Sequence, residues 1–148
     1  MSDPAGLIRP ALEAWLRADT EVIAAFGPKP VKIYSSLPPV NAIAPYVFIA
    51  GVDPDDDLAQ CMDNAIVNLE IGVWSLMSPP GFAEAETIAP AVKAAIARME
   101  DTGDSPAFTI AGHRIVSAEN LSTQYLTDPS DGKTVHGVIL ARLTVDQT

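Results

Sequence analysis

The acidic run Asp53-Pro-Asp-Asp-Asp57 contains the residue types of a calcium loop. Acids at relative positions 1, 3 and 5 match the start of an EF-hand loop. The rest of that template fails, because position 6 is Leu58 where glycine is needed and position 12 is Asn64 where a bidentate glutamate belongs. We therefore interpret the run as a solvated loop tip between two strands, and no metal site is predicted.

The two histidines, His113 and His136, lie outside any His-x-x-x-His or nucleophile-elbow context. Both are expected to be half-exposed sheet residues. Cys61 is the single cysteine, so neither an internal disulfide nor a cysteine cluster can form. A small hydrolase that assembles its site from both histidines with Asp128 and Asp131 stays open as a minor alternative.

The stretch Pro79-Pro80-Gly81 joins a strand-like segment to a helix, a place where many proteins bind phosphate. A phosphate cradle needs several backbone N–H groups, whereas two prolines remove two donors here. Glu84 and Glu86, two residues apart on a helix, do not face each other as a catalytic carboxylate pair and are expected to favour the positive helix end. The stretch is interpreted as a rigid connector, and no catalytic or cofactor-binding residue is predicted.

The bulk composition narrows the class of protein. The 148 residues fit one domain, and 48% hydrophobic with 19% charged residues is a globular composition. The formal charge is −10, with basic residues scattered singly, which argues against nucleic-acid binding because that needs clustered positive charge. The N-terminus has no basic cluster and no long apolar run, so we expect neither a signal peptide nor a membrane partner, and a protein that stays in the cytoplasm.

Two helical regions are predicted from apolar spacing of three and four residues. The first spans about 7–27, is interrupted at Asp19-Thr20, continues with Val22, Ile23 and Phe26, and ends at Gly27. The second begins near Phe82 and carries Pro90 on its solvent side. Its predicted core stripe is Phe82, Ala85, Ala89, Val92, Ile96 and Met99.

Strands are predicted where β-forming residues alternate with polar ones. The clearest are 65–76 and 135–145, each with one continuous apolar face. Further strands are predicted at 31–37, 44–52, 108–110 and 113–126. Most connections between strands are too short for a helical crossover, so the sheet should be mainly antiparallel. The prediction is an α+β domain over 1–148, with a single mixed sheet of five to six strands at about 31–145 and both helical regions on one face.

The ordered set of segments resembles the tail-completion, or tail-terminator, proteins of long-tailed phages, prophages and gene transfer agents. The N-terminal half matches with LEAWLRADTEVIAAFG, the Ile33-Tyr34 strand, the Pro45 to Ile49 strand, and LEIGVWS before the helix ETIAPAVKAAI. The closing half matches with FTIAGHRIVSAENLSTQYLTDPSDGKTVHGVILARLTV, which has the family's short strand, Gly-His-Arg, long strand, Asp-rich turn and Thr-Val-His-Gly. The Pro79-Pro80 pair and the acidic run at 55–57 depart from the family pattern.

The resemblance implies a structural subunit and not an enzyme, with no cofactor. Such a subunit forms a ring with copies of itself, typically six-fold. The ring caps the tail tube, stops its polymerisation and joins the tail to the head-tail connector. DNA passes through the channel of the ring without being bound. Loops are the expected contact sites. The candidate interface or channel residues are Asp53, Asp55, Asp56, Asp57, Asp128, Asp131 and Lys133. A small acidic cytoplasmic adaptor that binds a basic protein is the alternative.

Overall fold

The computed structural model describes residues 4–55, 64–76, 82–103, 108–128, 130 and 132–147. The chain begins with helix α1, Ala5–Ala18, in which Ile8, Leu12 and Leu16 recur every four residues and are fully buried. Pro10 lies in the second turn of α1, because the helix begins at Ala5. Pro79-Pro80-Gly81 and the predicted connector role lie outside the described residues.

Asp19 divides the first helical region as predicted. Its extended backbone ends α1, and its carboxylate accepts hydrogen bonds from the backbone N–H groups of Glu21 and Val22, both at 3.0 Å. Helix α2, Thr20–Phe26, therefore begins with a capped end, and Gly27 at φ 64° ends it. Ile23 was predicted to dock α2 together with Val22 and Phe26; this is wrong, because its side chain is 44% exposed and lies about 100° around the helix from the buried Val22.

Helix α3, Ala83–Ala97, is the second predicted helix and carries Pro90 on its exposed side, as expected. Most of the predicted stripe is buried, including Met99 just beyond the helix end, whereas Phe82 is half-buried. Ile88 is fully buried and was not predicted. Within the described residues, no helix has the length and apolar character needed to cross a membrane.

Five strands form one mixed sheet in the order β1-β2-β3-β5-β4. Their bounds are β1 Ile33–Tyr34, β2 Tyr46–Pro54, β3 Ala65–Leu76, β4 His113–Thr127 and β5 Thr134–Gln147. β1 pairs parallel to β2, and every other pairing is antiparallel. The predicted fold class, α+β with a mainly antiparallel mixed sheet of five to six strands, is confirmed.

Two strand predictions need correction. The predicted strand at 108–110 is absent from the sheet, where Ile110 makes only an isolated bridge to His113. The regular alternation predicted for 113–126 is also wrong, because the pairing of β4 with β5 is irregular between Ile115 and Ser117 and again between Asn120 and Ser122. These bulges change which residues point to each face, so Leu121 is 48% exposed and not part of an apolar face.

One face of the sheet and the three helices enclose the core. The alternating residues Val67, Leu69, Ile71 and Val73 of β3 belong to one buried cluster with residues of α1, α2 and α3. Their partners on β5, from Gly137 to Leu143 at every second position, are also buried. The opposite face, which we call the outer face, carries no helix from the described residues.

Candidate assembly surfaces

The two predicted acidic loops lie at opposite ends of the sheet. Ala65, which follows the β2–β3 connection, pairs with Val145, whereas Leu76 pairs with Thr134, which follows the β4–β5 turn. Eleven residue steps separate these pairs, roughly 36 Å at the rise of an antiparallel strand. The chain therefore presents one acidic connection at each end and cannot bring the two together in one site.

At the first end, Asp53 is exposed on β2 and Asp55 follows the strand. The amide of Asn68 donates to a carboxylate oxygen of Asp55 at 3.3 Å, and Arg142 donates to the Asn68 side-chain oxygen at 3.3 Å. Asp56 and Asp57 lie outside the described residues. Asp55, directly after β2, is thus one end of a hydrogen-bonded chain that continues through Asn68 on β3 to Arg142 on β5.

At the second end, Asp128 organises the β4–β5 turn. Its carboxylate accepts from the backbone N–H of Ser130 at 2.9 Å and from the Ser130 hydroxyl at 2.8 Å, and its own N–H donates to the Thr134 carbonyl at 2.8 Å. Gly132, at φ 66°, supplies the left-handed residue that the turn needs. Lys133 is exposed, and Asp131 lies outside the described residues. Asp128 therefore shapes this turn, while a role in contact with a partner remains a prediction.

The outer face carries a row of rings across the strands. Tyr34 and Tyr46 meet edge to face at 5.6 Å between ring centroids, and Tyr46 stacks on Trp74 at 6.3 Å. Trp74 stacks on His136 at 3.9 Å with an interplanar angle of 8°. All four residues are half-buried. Sequence reasoning missed this row, which depends on the registers that pair Tyr46 with Trp74 and Trp74 with His136.

Gly72 leaves space for the stack between Trp74 and His136. A Cβ at Gly72 would come within 2.7 Å of His136 Nε2 and 3.4 Å of Trp74 Nε1. Burial lowers the pKa of His136, while the charges of Glu70 and Asp128 raise it. The neutral imidazole is therefore favoured in the fold, and His136 is a half-exposed sheet residue, as predicted.

His113 differs from its prediction. It is 9% exposed at the start of β4, and its Nδ1 lies 2.9 Å from the Ala111 carbonyl oxygen. His113 pairs with Gln147 at one end of the sheet, whereas His136 pairs with Leu126 near the other end. The minor hydrolase hypothesis needed both histidines in one site together with Asp128, which follows β4. The fold separates His113 from His136 and Asp128 by about the length of β4. Among the described residues, no group of three or more His, Cys, Asp or Glu side chains could hold a metal.

A connection without charged residues follows β1, the edge strand of the sheet. We call residues Ser35 to Pro45, with the sequence SSLPPVNAIAP, the apolar arm. Leu37 is 84% exposed, Val40 109% and Ile43 71%. Sequence reasoning missed this surface, although three large apolar residues at three-residue spacing in a charge-free, proline-rich run were a signal for it. Such exposed apolar groups mark interaction sites.

Comparison with known proteins identifies relatives of this fold. The family model for tail completion protein gp17 matches residues 10–146. A chain in the structure titled "Virion of native gene transfer agent (GTA) particle" superposes with a TM-score of 0.75 at 22% sequence identity, and the match covers 98% of each chain. No curated protein sequence matches.

Proposed function

The chain belongs to the tail completion protein gp17 family, and from this we propose that it is one subunit of a ring of about six copies that caps the tail tube and joins it to the head-tail connector. The coarser role, a structural protein of phage-type tails that acts in virion assembly, follows from the family. What we propose beyond this role is the ring, its capping of the tail tube, and its contacts with the tube and the connector.

The single observation that carries the proposal is that the two acidic connections lie at opposite ends of the sheet. A tail-terminating subunit must contact the tube on one side and the connector on the other. The connections at 53–65 and at 128–134 lie at opposite ends of the long strands β3 and β5, so one end can contact each partner. The predicted contact residues Asp53 and Asp55 belong to the first end, and Asp128 and Lys133 belong to the second.

The charge of the chain supports a passage for DNA in such a ring. Six copies of a −10 subunit would carry a formal charge of roughly −60, and acids along a channel repel DNA over about a Debye length of 8–10 Å. DNA would then pass without adhering, which agrees with the absence of clustered basic residues in the sequence.

The oligomeric state tests the ring directly. Light scattering after size exclusion, with and without the major tail tube protein of the same particle, should give a species of about six subunits, and negative-stain images should show a closed ring. A chain that stays monomeric and never binds the tube protein would refute the proposal and favour the acidic adaptor instead. Ring formation only in the presence of the tube would support it.

The channel role has its own test. Replacing Asp55, Asp56 and Asp57 by lysine should slow DNA ejection or trap DNA in the particle, and the matched Asp→Asn triple, which removes charge without reversing it, should have a smaller effect. Particles of the lysine variant that eject DNA at the unchanged rate would contradict the channel role and leave the ring in place.

A further inference from the structure

The apolar arm is held in a defined position. Arg9 Nη1 donates to the Ser35 carbonyl at 2.7 Å at the start of the arm, and the Lys32 ammonium donates to the carbonyl of Ile43 near its end. Between them the Ala42 N–H donates to the Pro39 carbonyl at 2.9 Å. These bonds fix the backbone of the arm, so its exposed side chains are presented to solvent by a preorganised segment.

A second surface with exposed apolar side chains lies on the outer face, on β3, β4 and β5. We define the outer patch as Trp74, Leu76, Leu126 and His136. Leu76 is 48% exposed and Leu126 is 44% exposed, and they flank the stack of Trp74 on His136. Burial lowers the pKa of His136 and favours its neutral imidazole, while the charges of Glu70 and Asp128 act on it.

The arm and the patch lie at the same level along the strands but toward opposite edges of the sheet. The arm ends at Pro45, directly before Tyr46, and Tyr46 is in register with Trp74, His136 and Leu126 across the sheet. The arm leaves from the β1 edge, whereas Leu126 belongs to β4, the strand at the opposite edge. One copy can therefore place its arm against the patch of the next without sliding along the strands.

This geometry suits a ring. A head-to-tail contact closes into a ring when rotation alone relates the copies and forms a helix when each step also advances along the axis. If the two sheet ends face the tube and the connector, the ring axis runs along the strands, and the arm and patch share one height on that axis.

We propose that the apolar arm of one copy packs on the outer patch of the next copy around the ring. The inference rests on the proposed ring and names the contact that builds it. Charge favours a second copy as the occupant, because the cations Arg9 and Lys32 bond to the arm, whereas the charges that act on His136 of the patch are the acids Glu70 and Asp128. Burial of Leu37, Val40 and Ile43 against Leu76 and Leu126 would supply the attraction.

Two substitutions test the two sides of the contact. Val40→Asp alters the arm and Leu126→Asp alters the patch, and both side chains point to solvent in the isolated chain, so the fold should persist by circular dichroism. The matched control is Leu7→Asp, at 45% exposure in the first turn of α1 and a member of neither the arm nor the patch. Each test variant should weaken ring formation at least about 100-fold by light scattering, and the control should form rings like the natural chain.

A mixture of the two test variants gives the sharper result. An equimolar mixture of Val40→Asp and Leu126→Asp chains retains one intact arm and one intact patch per pair, so assembly should stop at a heterodimer. Rings that survive in Val40→Asp or Leu126→Asp, or a mixture that stays monomeric, would overturn the arm-to-patch contact.

Cross-linking separates this inference from the proposed ring. In a Cys61→Ser background, Val40→Cys chains mixed with Leu126→Cys chains should form a disulfide-linked heterodimer under mild oxidant, well above Val40→Cys mixed with Leu7→Cys. Rings without this cross-link would overturn the contact and leave the ring proposal standing. A cross-link without rings, with or without tube protein, would support the contact and overturn the ring.

Discussion

Replacement of Arg9 by methionine should destabilise the fold at the edge of the sheet. Arg9 lies on α1, and its Nη1 donates to two backbone carbonyl oxygens, 2.7 Å to Ser35 and 2.6 Å to Ile49. These bonds tie the helix to the β1 side of the sheet and occupy carbonyls that another strand could otherwise pair with. Methionine keeps the apolar stem of the side chain and removes both donors.

The magnitude follows from the number and kind of bonds lost. A hydrogen bond to a charged group contributes about 1.5–3 kcal/mol, and the half-buried position of Arg9 lets water replace part of each bond. We therefore expect a loss of about 2–3 kcal/mol in the free energy of unfolding. For a chain of this length that corresponds to a fall of about 5–10 °C in Tm.

Urea unfolding, monitored by tryptophan fluorescence, measures this change in the free energy of unfolding. The protein concentration should be low enough that the chain is monomeric, because assembly would add to the apparent stability. The matched control is Arg114→Met, since Arg114 is exposed and contacts Asp146 at 3.4 Å, a surface pair expected to contribute less than about 1 kcal/mol. If Arg9→Met and Arg114→Met lowered stability equally, the reasoning that the two Arg9 bonds fix this edge would be refuted.

Three further predictions use the same unfolding assay. Gly72→Ala should cost about 1–3 kcal/mol, because its Cβ would come within 2.7 Å of His136 Nε2, whereas Gly6→Ala, with open space around its Cβ, should be neutral or stabilising. Because burial lowers the pKa of His136 in the fold, the unfolded chain binds its proton more readily, so stability should fall as the pH drops below about 6.5, and His136→Gln should reduce that slope. Asp19→Ala should cost about 1–2 kcal/mol through loss of the helix cap, whereas Asp19→Asn should keep the cap, lose only the ion pair with Arg98 at 2.6 Å, and cost less.

The parts of the fold that follow from local pattern were predictable. The period of two along β3 and β5 fixed their buried faces, and Asp19 indicated the division between α1 and α2. The bulges in β4 were not predictable, because an extra residue in an edge strand leaves no signature when polar side chains are tolerated on both faces.

Some of the candidate surfaces could be predicted from the sequence, and others could not. The acidic connections could be found from composition, since acids between strands favour exposed loops. The stack of Trp74 on His136 could not, because it depends on the register between two strands 58 residues or more apart in sequence, which tertiary packing decides. The apolar arm was detectable in principle, but a run of Leu, Val and Ile between prolines is as typical of a buried connection as of an exposed one.

In the proposed ring, the distribution of charge along the subunit would let the ring end a tube instead of extending it. The connection at one end of the sheet carries four acids in residues 53–57, and the connection at the other end carries Asp128 and Asp131 with Lys133. End-to-end stacking of two such rings would place acidic connections against each other, repeated at every subunit, whereas the proposed contact between arm and patch would join copies side by side without that repulsion. Lateral closure would then be favoured over axial growth, and each end would stay available to a different partner. Rings should stack only where salt above about 1 M shortens the Debye length to roughly 3 Å, and rings that stack in dilute buffer would show that the acids do not control this choice.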